Sequence, residues 1–554
     1  MSKRDNRSGL RFARRDFLKS SALGGAAALL PWGLYSRGVS AKESPALDKF
    51  KDALPIPNVI RPANGDTIAV SMRQIRQSVH RDIGPVTTLW CYGAQATGFS
   101  SPGPTFDVRK GTYFNILWRN HLAKDPNARH FLDIDPSALD ANGGVPHCTD
   151  NRKVVVHLHG GKITAAVDGF PTDFLLPGQN ALYNYGIVQD AATLWYHDHA
   201  IGNTRLNVMM GLAGYFYVRD AFEVDLIEHS AGLPAYEHEI PIVLQDRRLK
   251  SNGQLAYDKR FDDSFFGDVM VVNGKAWPYL DVERRHYRLR LLNGSNSRSY
   301  TLHFGDRSTR LDFYVIGTDL GFLDAPVRTD RVTLTPGERL DIVIDFAQAA
   351  GGDDILLVNT DTSQGEHTDV PEIEEVMKLR IGYGNANDPV TLPAALREVP
   401  LPVFDPAAAA AERYFEFEDH YVAAVDDSEW LINDKHFFDV EEEVANRSYE
   451  IWSWVNKSEM MHPMHIHLAQ SQILGRYTMK EDSKGNLVPD KALPVADYEM
   501  GMKDTVRVGP KELVRVISFF DGQASGIAEE YFPYHCHILE HEDFEMMRQF
   551  RLKY

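Results

Sequence analysis

The sequence predicts an all-β protein of three sandwich- or barrel-like domains, and three observations carry that reading. The chain has 554 residues, room for about three domains at roughly 150 residues each. From residue 50 onward, short β-rich runs recur between Gly, Pro, Asn and Asp clusters, at 113–118, 154–156, 215–218, 240–244, 287–292, 340–344 and 514–518. Regular short strands separated by turn residues mark sandwiches and barrels. Long amphipathic helical patterns are scarce. Short helices are expected only near 372–380, and the alanine run 407–411 belongs to a connector crowded by Pro400, Pro402 and Pro406.

Composition narrows the class. With 43% hydrophobic and 25% charged residues, 41 Gly, 29 Pro and 3 Cys, the chain is globular rather than disordered, collagenous or disulfide-stapled. Residues 1–41 hold 8 basic and 2 acidic residues; the remainder carries 51 against 75, a net −24. A body that acidic is excluded as a nucleic-acid binder, because phosphate affinity comes from Lys and Arg.

The first element is an address. Ala13-Arg14-Arg15-Asp16-Phe17-Leu18-Lys19 precedes an apolar, small-residue run over 20–34, too short and too rich in Gly and Ala for a stable spanning helix. Val39-Ser40-Ala41 offers small residues to a signal peptidase. The paired arginines followed by Phe-Leu-Lys resemble a twin-arginine signal over 1–41. That resemblance implies the twin-arginine export machinery as a partner, a mature chain beginning near Lys42, and a periplasmic or extracellular location. No other stretch approaches 18 uninterrupted apolar residues, so an integral membrane protein is not expected.

Composition shifts near 222–238 and 390–412 then divide the body into 42–225, 236–392 and 410–554. A weak repeat accompanies them. Val272-Asn273-Gly274 and Leu431-Ile432-Asn433-Asp434 each precede a strand-rich stretch ending in Asn.

Of 21 His, 10 fall in four tight clusters: His157-Leu158-His159-Gly160, His197-Asp198-His199, His462-Pro463-Met464-His465-Ile466-His467, and His535-Cys536-His537 followed by His541 and Met546. A lone His in a β protein is usually a packed or surface residue. Four clusters, one with a Cys between two His, point to metal. Strand side chains alternate faces, so His-x-His throws both imidazoles to one side. In His535-Cys536-His537 the rings point one way and the thiolate the other. Two metal sites would then sit back to back, joined through one short stretch of backbone, an arrangement suited to electron transfer. Thiolate plus two His with a weak thioether is the blue-copper set. Cys536, His541, Met546 and the candidate His462 fill it. Zinc binds the same donors but has no redox use for them.

At these residues the sequence resembles the multicopper oxidases, whose motifs H-x-H-G, H-x-H, H-P-x-H-x-H and H-C-H-x3-H-x4-M all occur here in order from 157 to 546. The stretches HLHGG, LWYHDHA and YHCHILEHEDFEMM are most similar to bacterial laccases of the spore-coat type, to bilirubin oxidase and to phenoxazinone synthase. The resemblance implies three cupredoxin-like Greek-key β-sandwich domains and four copper ions. By motif position, His462, Cys536, His541 and axial Met546 would hold type 1 copper. His157 and His465 would hold type 2, and His159, His197, His199, His467, His535 and His537 the type 3 pair. It further implies a small-molecule reducing substrate and dioxygen, with electrons entering at type 1 and passing along Cys536 to a cluster between the first and third domains. Glu542 and Asp168 match acidic positions that deliver protons in the resembling laccases.

Other readings remain beside the leading laccase-like oxidation of phenols, aromatic amines or pigments. Met460, Met461 and Met464 crowd the type 1 edge and suggest a cuprous-ion oxidase, although the longer Met-rich insertion of metal-oxidising relatives is absent. A copper-free envelope scaffold of the same fold would be expected to have lost ligands that are all present here. A copper nitrite reductase would not need all eight cluster histidines. Asp198, between two ligands, faces away from them by alternation, and Met547 is expected to pack in the core. Cys91 and Cys148 could close a disulfide loop of about 57 residues, worth ~4 kcal/mol, or remain buried thiols.

Overall fold

Strand pairing, not helix packing, builds this molecule. The computed structural model describes residues 44–554 apart from 123–128, 133–151, 258–263, 307–308, 362–363, 365–369, 423–426, 484–486 and 524–525. The leader read over 1–41 and Cys148 lie outside the described residues. Cys91 is a buried thiol whose Sγ donates to the Arg73 carbonyl. No helix among the described residues is long and apolar enough to cross a membrane.

The described strands gather into six sheets, two in each third of the chain. In the first pair, Thr105–Arg109, Ala213–Arg219, Ala192–Asp198 and Val156–His159 lie side by side. They face Thr87–Ala94, Thr67–Gln77, Tyr113–Asn120 and Asn180–Gly186. Tyr113–Asn120 alternates outward and inward, sending Phe114, Ile116 and Trp118 into the core. There Phe106 and Phe216 of the opposite sheet meet Trp118 and Phe114 at ring-centroid distances of 6.4 Å. The second pair sets Glu239–Arg247, His286–Asn293 and Arg339–Asp345 against Tyr300–Gly305, Asp354–Asn359 and Glu375–Asn385, with Phe304 edge-on to Phe313 across the gap. The third sets Ala411–Val422, Ser448–Asn456, Glu512–Phe520 and Gln470–Glu481 against His462–Ile466, Glu529–Cys536 and Met547–Lys553. Its core is aromatic: Trp452 lies 5.1 Å from Tyr534 and 5.9 Å from Phe550. Truncating Trp452, fully buried, would cost about 3–5 kcal/mol. These are cupredoxin-like β-sandwiches.

One sequence expectation is overturned. The region near 372–380 is no helix; residues Glu375–Asn385 form a strand. Met377, Leu379 and Ile381 face the core at strand period, but a register shift at Leu357/Val358 lets the adjacent Val376 point inward too. The bulge breaks the alternation and leaves Ile373, Val376 and Met377 spaced as on a helix. The run near 407–411 begins with one short turn, Pro406–Ala408, started by Asp405 accepting from the Ala407 N–H.

The repeat has a structural counterpart. Asn273 and Gly274 take φ of 48° and 82°, and Asn433 and Asp434 take 56° and 54°, the left-handed pair of a tight hairpin turn. Each Asn also reaches back to an earlier strand. Asn273 Oδ1 accepts from the Val243 N–H and Asn433 Oδ1 from the Glu416 N–H.

Buried charge joins the first two sheet pairs. Arg219, Arg288 and Arg290 meet Glu223, Glu239 and Asp341, with Arg290 to Glu223 at 2.8 Å and Arg219 to Glu239 at 2.7 Å. Thr193 Oγ1 donates to Asp341 at 2.6 Å, which ties the strand carrying His197 to the second pair. Removing one member of such a group costs about 3–5 kcal/mol, because it strands a buried charge.

Candidate metal centre

Two antiparallel pairings bring the histidines together. Val156–His159 pairs with Ala192–Asp198 so that His157 lies opposite His197. His462–Ile466 pairs with Glu529–Cys536 so that His465 lies opposite His535 and Met464 opposite Cys536. Alternation does the rest: the rings of His157 and His159, of His197 and His199, and of His535 and His537 are each 5.7 Å apart. The eight imidazoles converge between the first and third sheet pairs, none more than 1% exposed.

The protein fixes which nitrogen faces inward in six of the eight rings. Backbone carbonyls only accept, so a ring nitrogen bonded to one must carry the proton. Nδ1 of His157 donates to the Asp168 carbonyl at 2.6 Å, that of His197 to Asp198 O at 2.8 Å, that of His465 to Asp504 O at 2.9 Å and that of His535 to Cys536 O at 2.9 Å. His467 Nδ1 meets Asp168 Oδ2 at 2.6 Å. Their Nε2 lone pairs therefore turn to the cluster. His159 is reversed: its Nε2 meets Asp504 Oδ1 at 3.1 Å, leaving Nδ1 inward.

The inward nitrogens fall into groups that suit ions. Nε2 of His199, His467 and His535 form a triangle with edges of 3.2, 3.2 and 3.3 Å. Three lone pairs so close repel one another unless a cation sits among them, and an ion roughly 2 Å from each fits at the centre. Inward atoms of His159, His197 and His537, and of His157, His159 and His465, also lie within 4.8 Å of one another. Nε2 of His157, His197 and His465 and Nδ1 of His159 have no hydrogen-bond partner and are buried, at a cost of about 1–3 kcal/mol each if left so.

Behind Cys536 lies a second group. His462 Nδ1 is 3.3 Å from His541 Nδ1, and Cys536 Sγ is 3.6 and 3.7 Å from the two. This is a trigonal N2S donor set of the blue-copper type. Ser458 holds His462 Nε2 at 2.9 Å, and the Ile538 N–H donates to Cys536 Sγ at 3.4 Å. Met546 is fully buried beside them, its N–H donating to the His541 carbonyl and its carbonyl accepting from the Cys536 N–H. Met547 packs elsewhere, against Ile201 and Phe437.

Burial governs the electrostatics. It holds His159, His197, His199, His465, His467 and His537 well below the usual imidazole range, with neighbouring imidazoles adding to the effect. It brings His462 down to about 3. Neutral imidazole is the metal-binding form. Burial pushes the Cys536 thiol up, and the Glu542 and Glu540 carboxylates push the same way, so the thiolate needs a cation to persist. Glu542, fully buried, places one carboxylate oxygen 3.2 Å from His199 Nδ1 and the other 3.2 Å from His535 Nδ1. Asp168 touches His467 with its carboxylate and His157 with its carbonyl. Asp198 turns away and accepts from Val155 N, Ala200 N and Asn207 Nδ2.

The structure also brings in residues that the motifs do not contain. Asp504 contacts two cluster histidines, Arg339 holds Asp504, Trp195 stacks on His197 at 4.1 Å, and Trp430 stacks on His541 at 4.4 Å. Trp195 stands two residues before His197 on one strand, inside the stretch LWYHDHA, so strand alternation puts it on the ligand's face; Trp430 and Arg339 have no spacing to announce them.

Known proteins match along the whole arrangement. Multicopper oxidase family models match residues 145–222, 251–377 and 406–553. The laccase of Bacillus stratosphericus is 36% identical over 91% of this chain and 98% of its own. The bilirubin oxidase of Albifimbria verrucaria is 32% identical over 92% of this chain and 82% of its own. The crystal structure of McoA multicopper oxidase from Aquifex aeolicus superposes with a TM-score of 0.76 at 28% identity, covering 92% of this chain and all of that one. Family models over most of the chain and relatives above 30% identity end to end make this chain a member of the multicopper oxidase family.

Proposed function

We propose that this copper-dependent oxidoreductase, with dioxygen as its acceptor, takes electrons from phenolic or other aromatic donors in the manner of a laccase. His462, Cys536 and His541, with Met546 axial, would hold type 1 copper. His157 and His465 would hold type 2, and the triads His159–His197–His537 and His199–His467–His535 the type 3 pair. The observation that carries the reading is the shared peptide: Cys536 belongs to one donor set while its two neighbours in sequence belong to the two triads. Bound copper supplies one-electron redox chemistry and a place for dioxygen to be reduced to water.

The chain's own residues set the conditions. The Cys536 backbone gives a short covalent path from the N2S group to both triads. Reduction of dioxygen to water also consumes protons. Glu542, beside His199 Nδ1 and His535 Nδ1, and Asp168, beside His467 Nδ1, are the carboxylates placed to hold them. Burial of every cluster imidazole keeps bulk water from the site.

Donor chemistry is read at the Cys536 end. A cavity of about 150 Å³ is lined there by Phe266, Met460, Met461, Pro510 and Ile538, with Ser297, Ser299, Asp361 and Gln364 as polar groups. Its mixed lining of apolar side chains and a few polar groups suits an aromatic molecule. Met464 is buried opposite Cys536 and does not line this cavity with Met460 and Met461, so the group does not present three thioethers to one cuprous ion. The resemblance of residues 1–41 to a twin-arginine signal supports export to the periplasm or beyond.

The test is the mature protein from Lys42 prepared with copper. An intense band near ~600 nm and about four coppers per chain are expected, with oxygen uptake faster on phenols than on cuprous ion. A colourless, copper-free folded protein would overturn the assignment; preference for cuprous ion would overturn the donor class alone.

A further inference from the structure

The middle third of the chain gives no histidine to the cluster, yet one of its turns stands against His537 and reaches His159 and His465 through Asp504. Arg339, at the start of the strand Arg339–Asp345, is fully buried and uses all five of its N–H donors. Nε donates to Thr193 O at 3.0 Å. Nη1 donates to Gly337 O at 3.0 Å and Asp504 Oδ1 at 2.7 Å. Nη2 donates to Asp319 O at 3.0 Å and Asp504 Oδ2 at 2.6 Å. This one side chain thus joins strands from all three sheet pairs.

Asp504 passes the constraint on. Its Oδ1 lies 3.1 Å from His159 Nε2, and its carbonyl accepts from His465 Nδ1. The turn before Arg339 reaches His537 directly: Gly337 has φ +83°, and a Cβ there would stand 2.8 Å from His537 Cδ2. Gly160, next to His159, closes the fit from the other side, since its Cβ would stand 2.7 Å from Arg339 Nη2.

We propose that Arg339 is a positioning residue for the copper cluster: by clamping Asp504 in a bidentate grip, it fixes the ring orientation of His159 and His465. A plain interdomain ion pair would explain the grip but not its target. His159 is the cluster ring whose Nε2 faces outward, and Asp504 is the carboxylate at that Nε2. Thr505 Oγ1, 3.2 Å from the same Nε2, itself donates to Asp504 Oδ1 at 2.9 Å, so displacing the carboxylate loosens both contacts and lets the ring turn over and present the wrong nitrogen to the triad. Partners behind a metal ligand commonly change metal affinity by about 10–100-fold, and Lys cannot reproduce a bidentate Arg grip.

The proposal rests on the copper assignment above, and the wild-type copper count separates the two failures. Copper-loaded wild type, Arg339→Met and Arg339→Lys would be dialysed against graded chelator, following cluster copper by metal content and paramagnetic resonance and the Cys536 site by its visible band. Arg339→Met is expected to release cluster copper at roughly 10–100-fold lower chelator concentration, with the visible band retained and Arg339→Lys intermediate. Cluster copper held as in wild type overturns the proposal. Loss from both sites in parallel with a lowered melting temperature makes Arg339 merely structural, which also overturns it. If Arg339→Met does not fold, Asp504→Asn decides in the same assay: selective loss supports the clamp and unchanged retention overturns it. A wild type without cluster copper would instead sink the copper assignment.

Discussion

Trp430 lies flat on His541, with ring centroids 4.4 Å apart and planes 20° from parallel, and its ring also reaches within 4.8 Å of His462. The indole therefore roofs both imidazoles of the N2S group. A blue-copper centre carries more charge oxidised than reduced, and water favours the more charged form. Trp430→Ala is accordingly expected to keep the visible band, lower the reduction potential and destabilise the fold by about 3–5 kcal/mol. Trp430→Phe should fall between. Redox titration of the band checks this; an unchanged potential in the Ala variant would show that the indole excludes no water.

The thiol of Cys536 belongs to one donor set and its peptide links two others. Serine keeps the size and removes the soft donor. Cys536→Ser is expected to abolish the visible band and lower the copper content from about four to about three per chain. Oxygen uptake with any phenolic donor should vanish with it. Loss of all copper would mean that the thiol side also holds the triads in shape.

Glu542 stands against Nδ1 of His199 and of His535, and Asp168 against Nδ1 of His467, so the two carboxylates meet all three rings of one triad. Amides retain the shape and cannot carry the proton. Glu542→Gln and Asp168→Asn should both keep the visible band and the copper content while slowing oxygen turnover, by ~10²-fold or more for a lost acid. Faster turnover at lower pH in these variants would trace the defect to proton supply. Turnover equal to wild type in Glu542→Gln removes its assigned role.

Much of this centre was legible because strand alternation turns His-x-His into two rings on one face, and their convergence follows from the pairing of His157 with His197 and His465 with His535; which nitrogen faces inward depends on acceptors such as Asp168 and Asp504. The aromatic and aliphatic runs likewise announced the sheets. Other parts depended on contacts between segments far apart in the chain. Arg339 meets Asp504 across 165 residues, and Trp430, on the strand Asp427–Ile432, reaches His541 on the short helix Leu539–Asp543, so neither has a local spacing. The strand at Glu375–Asn385 read as a helix because a bulge put two successive residues inward, which no single-strand pattern reveals.

Acid should unfold the copper-free protein through the same histidines. Seven of them, His159, His197, His199, His465, His467, His537 and His462, are held below the ordinary 6.5, mainly by burial, with His462 at about 3. Below pH 6.5 the unfolded chain takes up protons at these rings that the folded chain refuses, so stability falls as pH drops, by about 1.4 kcal/mol per pH unit for each ring. Asp198 and Asp543 oppose this. Burial lifts them from 3.8 to about 7 and about 6, so between 3.8 and those values the folded chain holds a proton that the unfolded chain has lost, and stability rises as pH drops. Asp319, lifted to about 6, and Glu540 and Asp173, also raised by burial, act the same way, but seven strongly depressed rings outweigh these carboxyls. The melting temperature of copper-free protein is therefore expected to fall steeply from pH 6.5 towards 4. Copper-loaded protein should resist longer, because protons must first displace the ion from the same nitrogens. Calorimetry of both forms across that range measures the difference, and a flat copper-free profile would mean that the cluster histidines protonate without cost in the fold.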